Sequence, residues 1–239
     1  MWSVLQALVD LFFPPFCPAC EAPLGEGRRD PLCGRCWAAI RPIVPPWCPV
    51  CGFPYPAGAE AFVCERCHRR PPPYTYARAA AYYGGPLRAA IHAFKYRGKT
   101  ALVRPLGQFM GEVGRRHLQL SEVDGLIPIP LHSTRLQERG FNQAGLLARE
   151  LGRQWGIPVW TNLVGRVVPT VPQSELSEAE RRRNVRGAFA LTRSAGVEGC
   201  RLLLIDDILT TGSTTAECAR ALRMGGAETV GVFTLARVE

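Results

Sequence analysis

The sequence predicts an α/β protein in which a small cysteine-rich module precedes a parallel, helix-flanked sheet. Three observations carry this. Four Cys-x-x-Cys pairs fall within residues 17–67. From about residue 76 onward, short apolar runs alternate with amphipathic stretches. Leu202–Thr214 reads as a buried strand, a loop of small residues and a helix start. At 239 residues with 47% hydrophobic side chains, the chain is too long for a disulfide-stapled miniprotein and too apolar for a disordered basic tail. The expected division is 1–75 for the module with its N-terminal arm and 76–239 for the α/β domain.

Met1–Phe16 is apolar, yet it lacks a basic leading region and a small-residue cleavage site, and it runs straight into Cys17. It reads as a short helix or packing arm rather than a signal peptide. No stretch approaches the ~20 apolar residues of a membrane span. The expectation is a cytoplasmic chain without membrane insertion.

The next element is a tandem repeat. Cys17/Cys20 and Cys33/Cys36 recur 31 residues later as Cys48/Cys51 and Cys64/Cys67, with twelve residues between the pairs of each unit. Two residues between cysteines let both sulfurs reach one ion, and two such knuckles close a tetrahedral S4 site suited to Zn²⁺. The simplest reading is two structural zincs, one per unit, although spacing also permits interleaved ligation. A disulfide framework needs an oxidising compartment that nothing here indicates. Cys64-Glu-Arg-Cys67-His68 matches a haem-attachment pattern, but its three sister pairs lack the histidine. An iron–sulfur cluster has no favoured spacing. Arg69-Arg70-Pro71-Pro72-Pro73 then forms a stiff linker. Cys200 and Cys218 have no partner pattern and read as buried thiols.

Charge is unevenly placed. Of the net +9, residues 1–75 carry +1 and residues 76–239 carry +8. No acid occurs between Glu65 and Glu112, and residues 66–111 hold nine basic side chains. Each ZnS4 site carries a formal −2, so the loaded module is near-neutral or acidic. The positive charge begins at its last knuckle.

Beyond the linker, Arg88–Tyr96, Leu102–Leu118 and Phe141–Trp155 read as helices, Leu126–Ile129 as a strand and Val159–Leu163 as a weaker one. Leu202–Ile205 is a buried strand, Thr214–Met224 a helix ended by Gly225-Gly226, and Thr229–Leu235 a last strand. The strand at 202–205 delivers Asp206 and Asp207 to its carboxyl end, where open α/β sheets bind ligands. Thr210-Thr211-Gly212-Ser213-Thr214 can fold N–H and hydroxyl groups around a phosphate at a helix start. Paired carboxylates beside such a cradle suit sugar hydroxyls. The plainer reading is a strand–turn–helix capped by Asp and Thr.

This run resembles the phosphoribosyl pyrophosphate (PRPP) motif of type I phosphoribosyltransferases. The chain is similar to the ComF/GntX family in particular, through Ile127–His132, Arg139-Gly-Phe-Asn-Gln143, Gln173–Ser177, Asn184–Phe189, Tyr82–Leu87, Phe94–Gly98 and the double ribbon. The resemblance implies a type I phosphoribosyltransferase-like sheet and a role in natural transformation or use of extracellular DNA. It places the ribose hydroxyls on Asp206 and Asp207, and the 5′-phosphate on Thr210, Thr211, Gly212, Ser213 and Thr214. By the same analogy Pro130, His132 and Arg135 lie in a pyrophosphate loop, with Arg139 and Arg181 as bidentate clamps. Residues 165–187 read as a lid. Mg²⁺ would be held largely by the ligand's phosphates.

Turnover would be substitution at ribose C1: a nucleophile bonds to C1 while pyrophosphate leaves with the electron pair. No base-specific pocket is legible in residues 76–110. A second reading is a single-strand DNA module using Arg88, Lys95, Tyr96, Arg97 and Lys99, where basic and aromatic side chains interleave. Those aromatics can equally be core, and Arg88, Lys95 and Lys99 can equally line the PRPP site. A third is that the ribbons dock another competence protein and the sugar-phosphate site regulates that contact.

Overall fold

A computed structural model of the protein describes residues 16–24, 31–168, 178–192 and 196–239, with the backbone alone at 178, 179, 181 and 182. The arm before Phe16 and the Gln173–Ser177 motif lie outside the described residues.

The 31-residue repeat is a structural one. Cys17 N–H donates to Ala22 O (2.9 Å) and Cys48 N–H to Phe53 O (2.8 Å), and antiparallel bridges join Phe16 to Pro23 and Trp47 to Pro54. Each unit's third cysteine starts a short helix, α1 (Gly34–Ala38) or α2 (Glu65–Arg69). Each first knuckle turns through a left-handed residue, Glu21 (φ 58°) or Gly52 (φ 68°). The second requires glycine, because a Cβ there would lie 2.3 Å from Ala77 O. Gly52→Ala is expected to cost about 2–4 kcal/mol in urea unfolding, through left-handed strain and overpacking. Glu21→Gly at the equivalent position should be nearly neutral, and equal effects would refute this account of docking.

The backbone atom that crowds Gly52 belongs to β1 (Tyr76–Tyr82), the edge of a four-stranded parallel sheet. The chain continues through α3 (Gly85–Tyr96), α4 (Val103–His117), β2 (Gly125–Pro128), α5 (Ser133–Arg139) and α6 (Gln143–Trp155). Then come β3 (Val164–Arg166), α7 (Glu178–Val185), β4 (Phe189–Leu191), β5 (Arg201–Leu209), α8 (Ser213–Met224) and β6 (Thr229–Arg237). The sheet order is β1-β6-β5-β2. The apolar run in β5 reflects burial on both faces: Leu203 and Ile205 pack with the α3–α4–α6 side, Leu202 and Leu204 with the α8 side.

Two expectations need correcting. The alanine-rich segment Tyr-Ala-Arg-Ala-Ala-Ala-Tyr at 76–82, in which no strand was expected, is one, because β6 pairs with it along one edge. The zinc module covers its other edge: Ile43 N–H donates to Ala80 O (3.0 Å), Tyr82 N–H to Arg41 O (3.0 Å) and Ala77 N–H to Val50 O (2.7 Å). An edge that would otherwise be an open template is satisfied. The expected strand at 159–163 reduces to one parallel bridge, Val159–Leu126. Pro158 there lacks an N–H to extend the ladder.

β3 and β4 form a separate antiparallel pair, with Val164 opposite Leu191. It brings together the two ends of the segment expected as a lid. Cys218 is fully buried as expected, whereas Cys200 is half-buried and its Sγ–H donates to Gly196 O (3.3 Å). Among the described residues, no helix is long and apolar enough to cross a membrane.

Candidate functional site

β5 stays in register with β6 beyond its apolar run, Asp206 opposite Thr234. The paired carboxylates are therefore held by the ladder rather than by a loose turn. They open into a cleft of about 680 Å³ at the carboxyl ends of the strands. Asp207 is only 6% exposed. Its carboxylate meets Lys95 Nζ at 2.8 Å, from the last turn of α3. Asp206 Oδ1 accepts a hydrogen bond from Asp207 N–H (2.9 Å). Burial, then the neighbouring Asp207 charge, pushes the Asp206 carboxyl up to about 7. Burial alone would lower Lys95, but the Asp207 carboxylate, with Asp206 behind it, outweighs that and raises it.

The small-residue loop follows. Gly212 is left-handed (φ 76°) and is the N-cap of α8, which turns the helix start toward the carboxylates. Thr211 and Ser213 share a hydroxyl–hydroxyl hydrogen bond of 2.8 Å, and Thr215 Oγ1–H donates to Gly212 O (2.9 Å). Thr210, Gly212, Ser213 and Thr214 line the cleft.

The opposite wall begins where β2 ends. Asn142 Nδ2–H donates to Ile129 O (3.0 Å), which fixes the start of the Pro130–Arg135 segment. Pro130, Arg135 and Arg139 line the cleft. Arg139 Nη1–H donates to Gln143 Oε1 (3.1 Å), and its guanidinium lies 5.1 Å over the Tyr96 ring. Arg166 enters from β3, its guanidinium pKa lowered by burial and then by the Arg135 charge. The cleft is thus cationic on one side and carboxylate-lined on the other. With an ammonium already on Asp207, the carboxylates are not a free-standing cation site, so a Mg²⁺ here would depend on oxygens brought by a ligand.

The eight knuckle cysteines form two groups, Cys17, Cys20, Cys33, Cys36 and Cys48, Cys51, Cys64, Cys67, with ligand atoms in each group within 4.8 Å of one another. Sequential grouping replaces the interleaved alternative. Cys20–Cys33 and Cys51–Cys64 sulfur separations are both 3.6 Å, close to the ~3.8 Å edge of a tetrahedron with ~2.3 Å Zn–S bonds. Backbone N–H groups of Cys51 (3.5 Å) and Cys64 (3.4 Å) donate to Cys48 Sγ, as thiolate ligands need. The donor sets fit structural zinc. His68 sits exposed on α2 outside both groups.

A sequence profile of the double zinc ribbon domain matches residues 8–69. The chain is 34% identical over 172 residues to the DNA utilization protein YhgH of Salmonella typhimurium, covering 71% of this chain and 75% of that protein. It is 38% identical over 161 residues to competence protein F of Haemophilus influenzae, covering 65% of this chain and 70% of that protein. The chain belongs to the ComF/GntX family. Among solved structures, this ComF/GntX member is similar to the glutamine PRPP amidotransferase of B. subtilis, with TM-score 0.37 and 21% identity over 55% of this chain and 26% of that one. It is also similar to a purine phosphoribosyltransferase of Pyrococcus horikoshii, with TM-score 0.35 and 14% identity over 56% and 82% of the two chains.

In this ComF/GntX chain the structure gathers most of the expected site residues and sets others apart. Thr211 lies on the far side of the loop, away from the cleft. His132 is outside the cleft lining, because its Nδ1 accepts Thr134 N–H (3.4 Å) and caps α5. Arg181 belongs to α7, and its side chain lies outside the described residues. The nucleic-acid candidates split: Lys95 and Tyr96 line the cleft, while Arg88, Arg97 and Lys99 are exposed and lie outside it. The buried Lys95–Asp207 pair was not foreseen. Its only sequence signal is that Lys95 is one of two lysines in the chain, both within the acid-free window.

Proposed function

We propose that the cleft binds PRPP with Mg²⁺ and that the protein acts in the cytoplasm on incoming single-stranded DNA. The observation that carries the first part is the convergence of Asp206, Asp207 and the loop at the start of α8 on one cleft with Lys95 and Arg139. Asp206 and Asp207 would accept from the ribose 2′- and 3′-hydroxyls. Thr210, Gly212, Ser213 and Thr214 would hold the 5′-phosphate with hydroxyl and N–H donors at the positive helix end. Arg135, Arg139 and Arg166 would face the pyrophosphate, whose oxygens carry the Mg²⁺. Lys95 keeps the carboxylates oriented and offsets their mutual repulsion. Thiolate-held zinc favours a reducing compartment. The DNA role rests on relatives named competence protein F and DNA utilization protein. Contacts with other competence proteins through the ribbons belong to the same reading.

Calorimetry of PRPP with Mg²⁺ against the zinc-loaded protein tests the site. One-to-one binding is expected, reduced at least tenfold by Asp207→Asn. No heat with PRPP, or unchanged affinity in the variant, would overturn the reading. Pyrophosphate release on adding nucleobases would convert it to a transferase.

A further inference from the structure

A second groove lies behind the same loop. It is about 1,110 Å³ in volume, walled by α2 and residues 70–74 on one side and by α7 and α8 on the other. Six arginines line it: Arg66, Arg69 and Arg70 from the zinc module, Arg183, Arg186 and Arg220 from the α/β domain. The carboxylates that line it, Glu65 and Glu217, are already engaged, with Arg69 at 2.6 Å and Arg220 at 3.2 Å. Among the described residues, no carboxylate lies within ion-pair distance of Arg66, Arg70, Arg183 or Arg186. All four are exposed.

One reason for arginines here would be to neutralise the second zinc–thiolate cluster, since Cys67 also lines the groove. That accounts for the module's side. It does not account for Arg183 and Arg186, which approach from the other domain across open space. Cations held on both walls suit an anionic chain lying between them, and guanidinium forks match phosphate oxygens. Among the described residues Tyr74 is the only aromatic in the lining, and it is buried and offers no stacking face. The groove therefore suits phosphates rather than bases.

The groove and the PRPP cleft share a wall. Gly212 and Ser213 line both, and Thr211, hydrogen-bonded to Ser213 at 2.8 Å, lines the groove. We propose that the arginine groove seats the phosphate backbone of single-stranded DNA, and that strand and PRPP–Mg weaken each other's binding through the shared loop. The proposal rests on the reading of the cleft as a PRPP site and of the protein as one that handles DNA. It moves the strand away from the outer face of α3. The sign of the coupling follows from charge. Two anions on opposite sides of one thin loop repel each other, and a strand that neutralises the arginines removes part of the field that attracts the 5′-phosphate. The Thr211–Ser213 hydroxyl pair adds a local link, because a phosphate accepting from Thr211 changes which hydroxyl donates to the other.

Fluorescence anisotropy with a labelled oligothymidylate and the full zinc-loaded chain tests this. Four free arginines predict a slope of log affinity against log salt of about −3, from −0.7 per single-strand phosphate contact. Arg66→Ser with Arg70→Ser, and separately Arg183→Ser with Arg186→Ser, should each weaken binding at least tenfold and flatten the slope by about 1.4. The α3 pair, Arg88→Ser in the helix with Arg97→Ser at its C-terminal cap, should change affinity less than twofold. Saturating PRPP–Mg should weaken oligothymidylate about fivefold, and the oligonucleotide should weaken PRPP by the same factor, as linkage requires. Zinc content and melting temperature confirm that each variant is folded.

If the α3 pair abolishes binding while the groove pairs do not, the strand lies elsewhere and the proposal is wrong. Equal affinity for duplex, or for polyglutamate, overturns the single-strand assignment. Unchanged oligonucleotide affinity in PRPP that demonstrably binds refutes the coupling alone. PRPP that does not bind overturns the cleft reading and the coupling together, leaving the arginine variants to decide the groove.

Discussion

Asp206→Asn should make the ligand-free protein more stable above neutral pH while abolishing PRPP binding. The carboxyl titrates at about 7 in the folded chain, against 3.8 in the absence of structure. A raised acid stabilises the fold while both states are protonated. That contribution is lost as pH climbs from the unfolded value through the folded one, because the folded chain must then ionise a group beside Asp207 in a poorly solvated site. Asparagine removes the ionisation and keeps the approximate shape. The stability gap in favour of the variant should widen by on the order of 2 kcal/mol between pH 5 and pH 8. Urea unfolding at the two pH values, with zinc present and Mg²⁺ absent, measures it. Parallel pH slopes for the two proteins would sink the assignment. On the proposed reading of the cleft, the same substitution replaces a ribose-hydroxyl acceptor by an amide, so calorimetric PRPP affinity should fall beyond detection. Stability gained where binding is lost is the expected signature of a site built for a ligand.

Cys48→Ser should unfold more than the ribbon it belongs to. The first knuckle of the second unit is attached to the sheet at three points: Val50 O accepts from Ala77 N–H, Gly52 packs on Ala77 O, and Cys51 O accepts from Arg237 Nη1–H (2.7 Å). Arg237 is 3% exposed, in the last strand of the sheet, and its guanidinium lies 5.5 Å from the Phe53 ring centroid. Losing the metal frees this segment, uncovers the β1 edge and strands a buried guanidinium without its anionic neighbours. Zinc content should drop from two ions to one, and overall stability by at least about 3 kcal/mol, in a single cooperative transition. Calorimetric melting alongside metal analysis checks this. A sheet domain that still melts at the wild-type temperature would show the ribbon to be an appendage.

Both predictions trace back to how information is distributed along the chain. Knuckle spacing and the Leu202–Thr214 run are contiguous, so their chemistry is legible residue by residue and the structure places them much as expected. The orientation of His132 was not legible for the opposite reason: its place in the Pro130–Arg135 segment said nothing about a ring turned onto its own helix start. The alanine-rich β1 was missed because its strand character comes from neighbours on both edges, not from its own side chains.

By itself the sequence determined the two metal-binding units, the parallel α/β character and the carboxylate–loop–helix motif, all products of short-range spacing and hydrophobic period. Only the tertiary structure decided where the charge of the 66–111 window goes. It divides: Lys95 is buried on Asp207, 112 positions away along the chain, while Arg66, Arg69 and Arg70 face arginines from the α7–α8 side across a groove. Charges act through space over roughly a Debye length, about 8–10 Å, whatever their separation along the chain. Their partners are therefore set by packing rather than by sequence order.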